Sequence, residues 1–377
     1  MSDASDSLPW LHGRTILLTV AGSRAYGTNT AGSDVDLKGV AVPPREFYLG
    51  AFNRFEQADK PSHAARYLED LLPEEQRVAQ ETKLEGTVFE VTKFIRLAAD
   101  GNPNVLEVVF APDANVRMER LGGALIRENR ELFLSRTLKH RFAGYAISQL
   151  HRIKTHRKWL IDPPTAPPRR EDFGLTERTS IAKDQLAAVQ AAVAKQLDRW
   201  NEDFDDGTMT EGSKIRIREH IADYLSELQI AAEDRFTAAG RKLGLEENFL
   251  HLLQREREYA GAAQHWAQYQ NWHANRNEDR AKLEREYGYD TKHAMHLVRL
   301  LRMCREILTR GEVLVRRPDA EELLAIRNGA WTYEEIAAWA EREELELEEL
   351  YRGSRLPRQP DRKKLDELTV RIVESML

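Results

Sequence analysis

The apolar run Ile16-Leu17-Leu18-Thr19-Val20-Ala21 stops at Gly22-Ser23, and a polar loop then leads to Asp34-Val35-Asp36. A short, β-rich apolar run ending at glycine reads as a buried strand. Gly22 lets backbone amides approach a ligand with no Cβ in the way. Ser23 adds a hydroxyl, and a helix starting at Ser23 or Arg24 would turn free N–H groups towards phosphate. Side chains alternate along a strand, so Asp34 and Asp36, separated by Val35, point to one face. Two adjacent carboxylates repel each other unless a cation lies between them. Mg²⁺ suits that place, because it takes oxygen ligands and keeps positions for water and substrate phosphates. Val40, Ala41 and Val42 prolong the second strand until Pro43-Pro44 stops it. The arrangement points to metal-dependent transfer of a nucleotide from a triphosphate.

Gly22-Ser23-Arg24-Ala25-Tyr26-Gly27 and Ser33-Asp34-Val35-Asp36-Leu37-Lys38-Gly39-Val40 resemble the signature of the DNA polymerase β-like nucleotidyltransferase superfamily. Within it they look like the RNA repair pathway DNA polymerase β family. Gly101-Asn102-Pro103-Asn104-Val105-Leu106-Glu107, Arg276-Asn277, Tyr287 to His296, Arg299-Leu300-Leu301 and Ile326-Arg327-Asn328-Gly329 resemble further blocks of that family. Residues 53–80 and 165–260 carry none.

The resemblance implies a third carboxylate on a later strand. Glu85, in Glu85-Gly86-Thr87-Val88-Phe89, is the first choice, at a position where the family often has aspartate. Glu81 is the other contender, and Glu90 reads as a first-turn acid stabilised by the dipole of a helix through Val91, Phe94, Ile95, Leu97 and Ala98. Glu107 lies in an apolar run and reads equally as a paired, buried structural carboxylate. Asp34, Asp36 and Glu85 are thus the expected catalytic residues and metal ligands, holding two Mg²⁺ or Mn²⁺ ions for in-line displacement. Gly22, Ser23, Arg24 and Lys38 are the expected nucleotide contacts on this side. No Walker-type Gly-x-x-x-x-Gly-Lys-Ser/Thr is present, which argues against a P-loop NTPase.

The chain has 377 residues, enough for two domains and a sizeable core. Its one cysteine, Cys304, sits in a helical apolar pattern, which excludes a disulfide framework or thiolate zinc site and reads as an inert thiol. No signal-peptide pattern or membrane-length apolar stretch occurs, so a cytoplasmic soluble protein without membrane contact is expected. The formal net charge of −6 does not advertise polyanion binding overall. From Leu132 to Ile161, however, there is no acidic residue. Arg136, Lys139, Arg141, Arg152, Lys154, Arg157 and Lys158 alternate there with Phe142, Tyr145 and Trp159. The stripe reads either as a solvated helix face or as a polyphosphate or RNA contact.

A helix begins near Asp290 or Thr291, with one of them as N-cap. On it Lys292, His296 and Arg299 share one face, opposite Leu297, Leu301, Cys304 and Leu308. That basic face is expected outward, towards the metal site, binding triphosphate or acceptor phosphate, with His296 a possible general base. Trp266, Tyr269, Trp272 and His273 read as core. Amphipathic helices are expected at 184–200 and 215–239.

The whole reads as an α+β protein. A small mixed-sheet nucleotidyltransferase domain occupies residues 1–120, and a mainly α-helical domain with a basic acceptor-binding face follows over 121–377. The expected reaction moves an NMP from an NTP such as ATP to an acceptor hydroxyl. The family resemblance implies that the acceptor is an RNA end, that of a tRNA in RNA repair. A protein or small-molecule acceptor, as in toxin–antitoxin or antibiotic-modifying nucleotidyltransferases, is the first alternative. A non-catalytic RNA-binding module is the second.

Overall fold

In the computed structural model, residues 8–179, 184, 187–189, 191–192, 240–276 and 278–377 are described. The helix expected at 215–239, most of that at 184–200, and Asn277 lie outside these residues. The chain divides into two compact units, Met1–Ile161 with Asn277–Leu377, and Asp162–Arg276.

After a single helical turn at Leu11–Arg14, the first unit runs into β1 (Thr15–Ala21), buried at every position, as its apolar run requires. The short helix α1 (Gly22–Tyr26) follows directly. Next come β2 (Val35–Ala41), the two-residue β3 (Gln57–Ala58), α2 (Pro73–Glu81) and β4 (Leu84–Glu90). Helices α3 (Val91–Ala99) and α4 (Pro103–Val109), strand β5 (Val116–Glu119), and helices α5 (Leu121–Glu128) and α6 (Leu138–Ile161) complete this run. Asn102 caps α4 by accepting from the Asn104 amide at 3.0 Å, and Pro103 opens it, a favoured start because proline lacks the N–H a first turn cannot use.

The sheet order is β3-β4-β2-β1-β5, with β2 parallel to β4 and the other neighbours antiparallel. It is the small mixed sheet of an α+β protein, and the remainder is mainly helical. Leu18, Val20, Val35, Leu37 and Val88 pack one face with Leu11, Tyr67 and Leu71. Leu17, Val40 and Phe89 point to the other, into the core shared with the helices.

In the second unit α7 (Glu247–Ala274) is the longest described helix. Trp266, Tyr269 and Trp272 are half-exposed along it, in tilted ring contacts at 5.8 and 6.0 Å, and His273 is exposed, so none of the four is fully buried as a core reading expects. Back in the first unit are α8 (Glu278–Tyr287), α9 (Thr291–Arg310), α10 (Ala320–Arg327), α11 (Tyr333–Gly353) and α12 (Arg362–Glu374). Helix α9 packs along α6 and against α10 and α11. Cys304 lies in that core, where burial pushes its thiol up to about 12 and keeps it inert. Among the described residues no helix is long and apolar enough to cross a membrane.

Candidate active site

Strand register assembles the carboxylates. In the parallel β2–β4 pair, Asp36 lies opposite Glu85. Opposed residues on neighbouring strands share a sheet face, about 4.8 Å apart. Asp34 immediately precedes β2 and is exposed, two residues from Asp36. This is the face that farther along carries Val40 and Phe89 into the helical core, so the carboxylates occupy its polar margin. Glu85 is half-exposed and ion-paired with Lys83.

Burial, first, and then the charges of Glu85 and Asp34 hold the Asp36 carboxyl above its ordinary value, while Lys38 and Lys292 pull the other way. A half-buried carboxyl with two further carboxylates beside it makes an oxygen donor set suited to a hard dication. Asp34, Asp36 and Glu85 therefore fit Mg²⁺ or Mn²⁺. Glu90 is already committed: buried as the N-cap of α3, it accepts from the Lys93 amide and the Tyr48 hydroxyl, each at 2.8 Å. Glu81 ends α2, exposed, and does not line the cavity beside Asp36.

That cavity, about 430 Å³, is bounded by Gly22, Asp36, Lys38 and Glu85 together with Asp59 and Thr87, which sequence reasoning did not single out. Thr87 follows Glu85 on the same face. Asp59 comes just after β3, a strand too short for any periodic signal to announce it.

Gly22 adopts φ +62°, and a Cβ there would overlap Asp36 Oδ2. The glycine thus brings the turn against the carboxylate. Ser23 sits in the first turn of α1, where its carbonyl accepts from Thr28 N at 2.9 Å and closes the loop. Arg24 spends its guanidinium on the loop backbone, donating to the carbonyls of Ser33 at 3.0 Å and Asp34 at 3.2 Å. It steadies the segment that presents Asp34. Lys38 donates to the Asn104 carbonyl at 3.1 Å beside Asp36. Burial holds its pKa down, against the pull of Glu107 and Asp36.

The outward basic face expected of α9 is only partly present. Lys292 is exposed and His296 half-buried, but Arg299 is 4% exposed. Its Nη1 donates to Glu107 Oε1 at 2.5 Å, and its guanidinium lies 3.8 Å over the Tyr26 ring. Tyr26 in turn donates its hydroxyl to Glu107 Oε2 at 2.6 Å. Glu107 is thus the paired, buried carboxylate, and Arg299 joins α9 to α4 and α1. Periodicity assigned Arg299 to the basic face without showing that an acid from another helix meets it there.

Asp290 is the N-cap of α9, accepting from the His293 amide at 3.1 Å. His156 Nδ1 lies 3.2 Å and His293 Nε2 3.6 Å from its Oδ2, which also receives Arg280. Burial alone would raise Asp290, but the His156 hydrogen bond and the charges of His293 and Arg280 outweigh it and hold the carboxyl far down. These three side chains have metal-ligand spacing. The guanidinium already neutralises the carboxylate, which makes them a helix anchor and a poorer dication site than the sheet carboxylates. Burial, then Arg299 and Lys292, keep His296 well below its ordinary value and therefore neutral at physiological pH.

The basic stripe of α6 is divided. Lys139 is buried and paired with Glu348, Arg157 pairs with Glu334 over the Tyr333 ring, and Phe142 and Trp159 are core. Tyr145, His151, Arg152, Lys154 and Lys158 remain exposed.

Residues 6–160 match the sequence model of a family described as the RNA repair pathway DNA polymerase beta family. This stretch contains Gly22, Asp34, Asp36, Glu85 and Glu107 and ends before Lys292. An uncharacterized 38.9 kDa protein in the nrdC-mobD intergenic region of Enterobacteria phage T4 is 27% identical over 139 residues, 36% of this chain and 38% of that protein. The similarity therefore spans well under half of either chain. No solved structure matches significantly. Residues 6–160, about two fifths of the chain, are thus similar to the RNA repair pathway DNA polymerase β family, and polymerase β-like nucleotidyl transfer is the activity implied at the level of that family.

Proposed function

We propose that the protein transfers a nucleoside monophosphate from an NTP to a hydroxyl at an RNA end, with Mg²⁺ or Mn²⁺ held by Asp34, Asp36 and Glu85. The observation that carries this reading is the register that sets Asp36 opposite Glu85, with Gly22 pressed against Asp36. Bound divalent ions would neutralise the polyphosphate and favour ionisation of the attacking hydroxyl.

The chain's own groups do the positioning. Gly22 and Ser23 admit phosphate close to the backbone. Lys38, held by the Asn104 carbonyl, sets a half-buried positive charge beside Asp36 and opposes the negative charge that accumulates there. The charge of Lys292 on α9 acts on Asp36, and one turn along the helix the neutral imidazole of His296 can accept a proton or donate a hydrogen bond. Arg299 acts through the Glu107–Tyr26 contact and holds α9 and α1 together. The family and the exposed cations of α6, Arg152, Lys154 and Lys158, support RNA as acceptor.

The test incubates the protein with each labelled NTP and dNTP, Mg²⁺ or Mn²⁺, and pooled tRNA or no acceptor, beside an Asp34→Ala/Asp36→Ala double variant. Label on RNA with the wild type alone is the expected result. Label on protein replaces RNA by a protein acceptor, and tight RNA binding with no transfer replaces the enzyme by a binding module.

A further inference from the structure

Helix α9 pairs most of its cations. Arg299 has Glu107, Arg302 has Asp319 and Glu322, and Arg305 has Glu343 and Glu346. Lys292 and His296, one turn apart near the opposite end, differ: among the described residues neither makes a hydrogen bond or an ion pair. Arg327, the last residue of α10, is half-buried and equally without one.

These groups converge. Lys292 and His296 lie four residues apart on α9, and α10, which ends at Arg327, packs against that helix. The Arg327 charge bears on both, and Lys292 also feels the carboxylate of Asp36. Arg280, already engaged by Asp290, adds its positive field to Lys292 and Arg327. The like charges of Lys292 and Arg327 repel one another and oppose folding unless an anion compensates them. Farther along α9 that need is met by Asp and Glu in direct contact; Lys292 has only the more distant charges of Asp36 and Asp290, and Arg327 has neither.

We propose that Lys292, His296 and Arg327 form a seat for a multiply charged phosphate, either the polyphosphate tail of the nucleotide or a terminal 5′-phosphate on the acceptor. Arg327 supplies forked, parallel N–H donors from a second helix, the geometry suited to two phosphate oxygens. Lys292 adds a mobile point charge, and His296 adds one N–H. The existence of the seat follows from the unpaired cluster; its ligand rests on the nucleotidyl-transfer reading.

Calorimetry on the full chain without divalent ions tests it, with inorganic tripolyphosphate and with one RNA oligomer bearing either a 5′-phosphate or a 5′-hydroxyl. Arg327→Ala and Lys292→Ala are each expected to weaken binding by about tenfold, the scale of one charge-assisted hydrogen bond. Arg327→Lys should recover part of the loss. Arg310→Ala, which removes an exposed charge at the far end of α9, should change binding less than about twofold, as expected of a screened surface charge. Circular dichroism confirms that each variant is folded, and Lys292→Ala carries the test if Arg327→Ala is not. Loss of tripolyphosphate binding assigns the seat to the nucleotide tail, and loss of a preference for 5′-phosphate assigns it to the acceptor. Equal binding by wild type, Arg327→Ala and Lys292→Ala overturns the proposal, as does absence of binding by the wild type. Arg327-dependent binding without NMP transfer would keep the seat and remove the enzyme. Transfer indifferent to Arg327 would do the reverse.

Discussion

At Gly22 a single Cβ would decide the site. Its φ of +62° is costly for other residues, and a side chain would enter the space of Asp36 Oδ2. Gly22→Ala is expected to lower stability by about 1–2 kcal/mol from backbone strain alone. It should cut NMP transfer by about 10²-fold through displacement of Asp36, measured as kcat/KM beside urea denaturation. Asp36 supplies a second prediction. Its carboxyl sits above its ordinary value, mainly through burial and then through Glu85 and Asp34. A folded-state pKa raised above the unfolded value stabilises at acid pH and loses that stabilisation as pH rises through it. Asp36→Asn should therefore raise the melting temperature of the metal-free chain at neutral pH, with the gain shrinking as acid protonates the wild-type carboxyl. The same variant should lose the stabilisation that Mn²⁺ gives the wild type. A melting temperature unchanged or lowered at neutral pH without metal would contradict this electrostatic account. Gly22, Asp34 and Asp36 were legible from spacing because they are close in the chain. Asp59 was not, because its two-residue strand has no period to read.

Helix α9 shows how far element-scale reading goes. Its start at Asp290 and its buried Leu297, Leu301, Cys304 and Leu308 follow from capping and a 3.6-residue period. The same period put Arg299 with Lys292 and His296, yet Arg299 is buried against Glu107 and Tyr26. Periodicity assigns a face but not the partner that face meets. Here the partner lies 192 residues away in sequence, on α4. Removing one member of a buried pair strands the other charge. Glu107→Ala is expected to cost about 3–5 kcal/mol in urea unfolding. Tyr26→Phe removes one hydrogen bond to a carboxylate and should cost about 1.5–3 kcal/mol. If Glu107→Ala proves nearly neutral, the contact does not hold α9 in place. Strand β4 was read more fully: Glu85 to Phe89 as a strand, with a helix through Val91 to Ala98 next, matches Leu84–Glu90 followed by Val91–Ala99. The parallel register that makes Glu85 face Asp36 involves a pairing that local sequence does not specify.

Across the whole molecule, the α+β class followed from strand-like runs before residue 120 and helical periodicity after it. The division into units did not, because Asn277–Leu377 returns to the same compact unit as the sheet. A linear reading has no signal for a segment that rejoins the start of its chain. The stripe of α6 was open to two readings for a related reason: Glu348 and Glu334, 209 and 177 residues onward, pair with Lys139 and Arg157, while Arg152, Lys154 and Lys158 stay exposed. The central claim is that Asp34, Asp36 and Glu85 act as one metal-holding set on one sheet face. Its most direct test measures divalent-dependent NMP transfer by Glu85→Gln and Glu81→Gln, with Mn²⁺ binding followed in parallel by electron paramagnetic resonance. Glu85→Gln should lose about 10²-fold or more in transfer, the scale of a removed transition-state charge contact, together with Mn²⁺ affinity, while Glu81→Gln keeps both. Wild-type transfer and Mn²⁺ binding by Glu85→Gln would contradict the account.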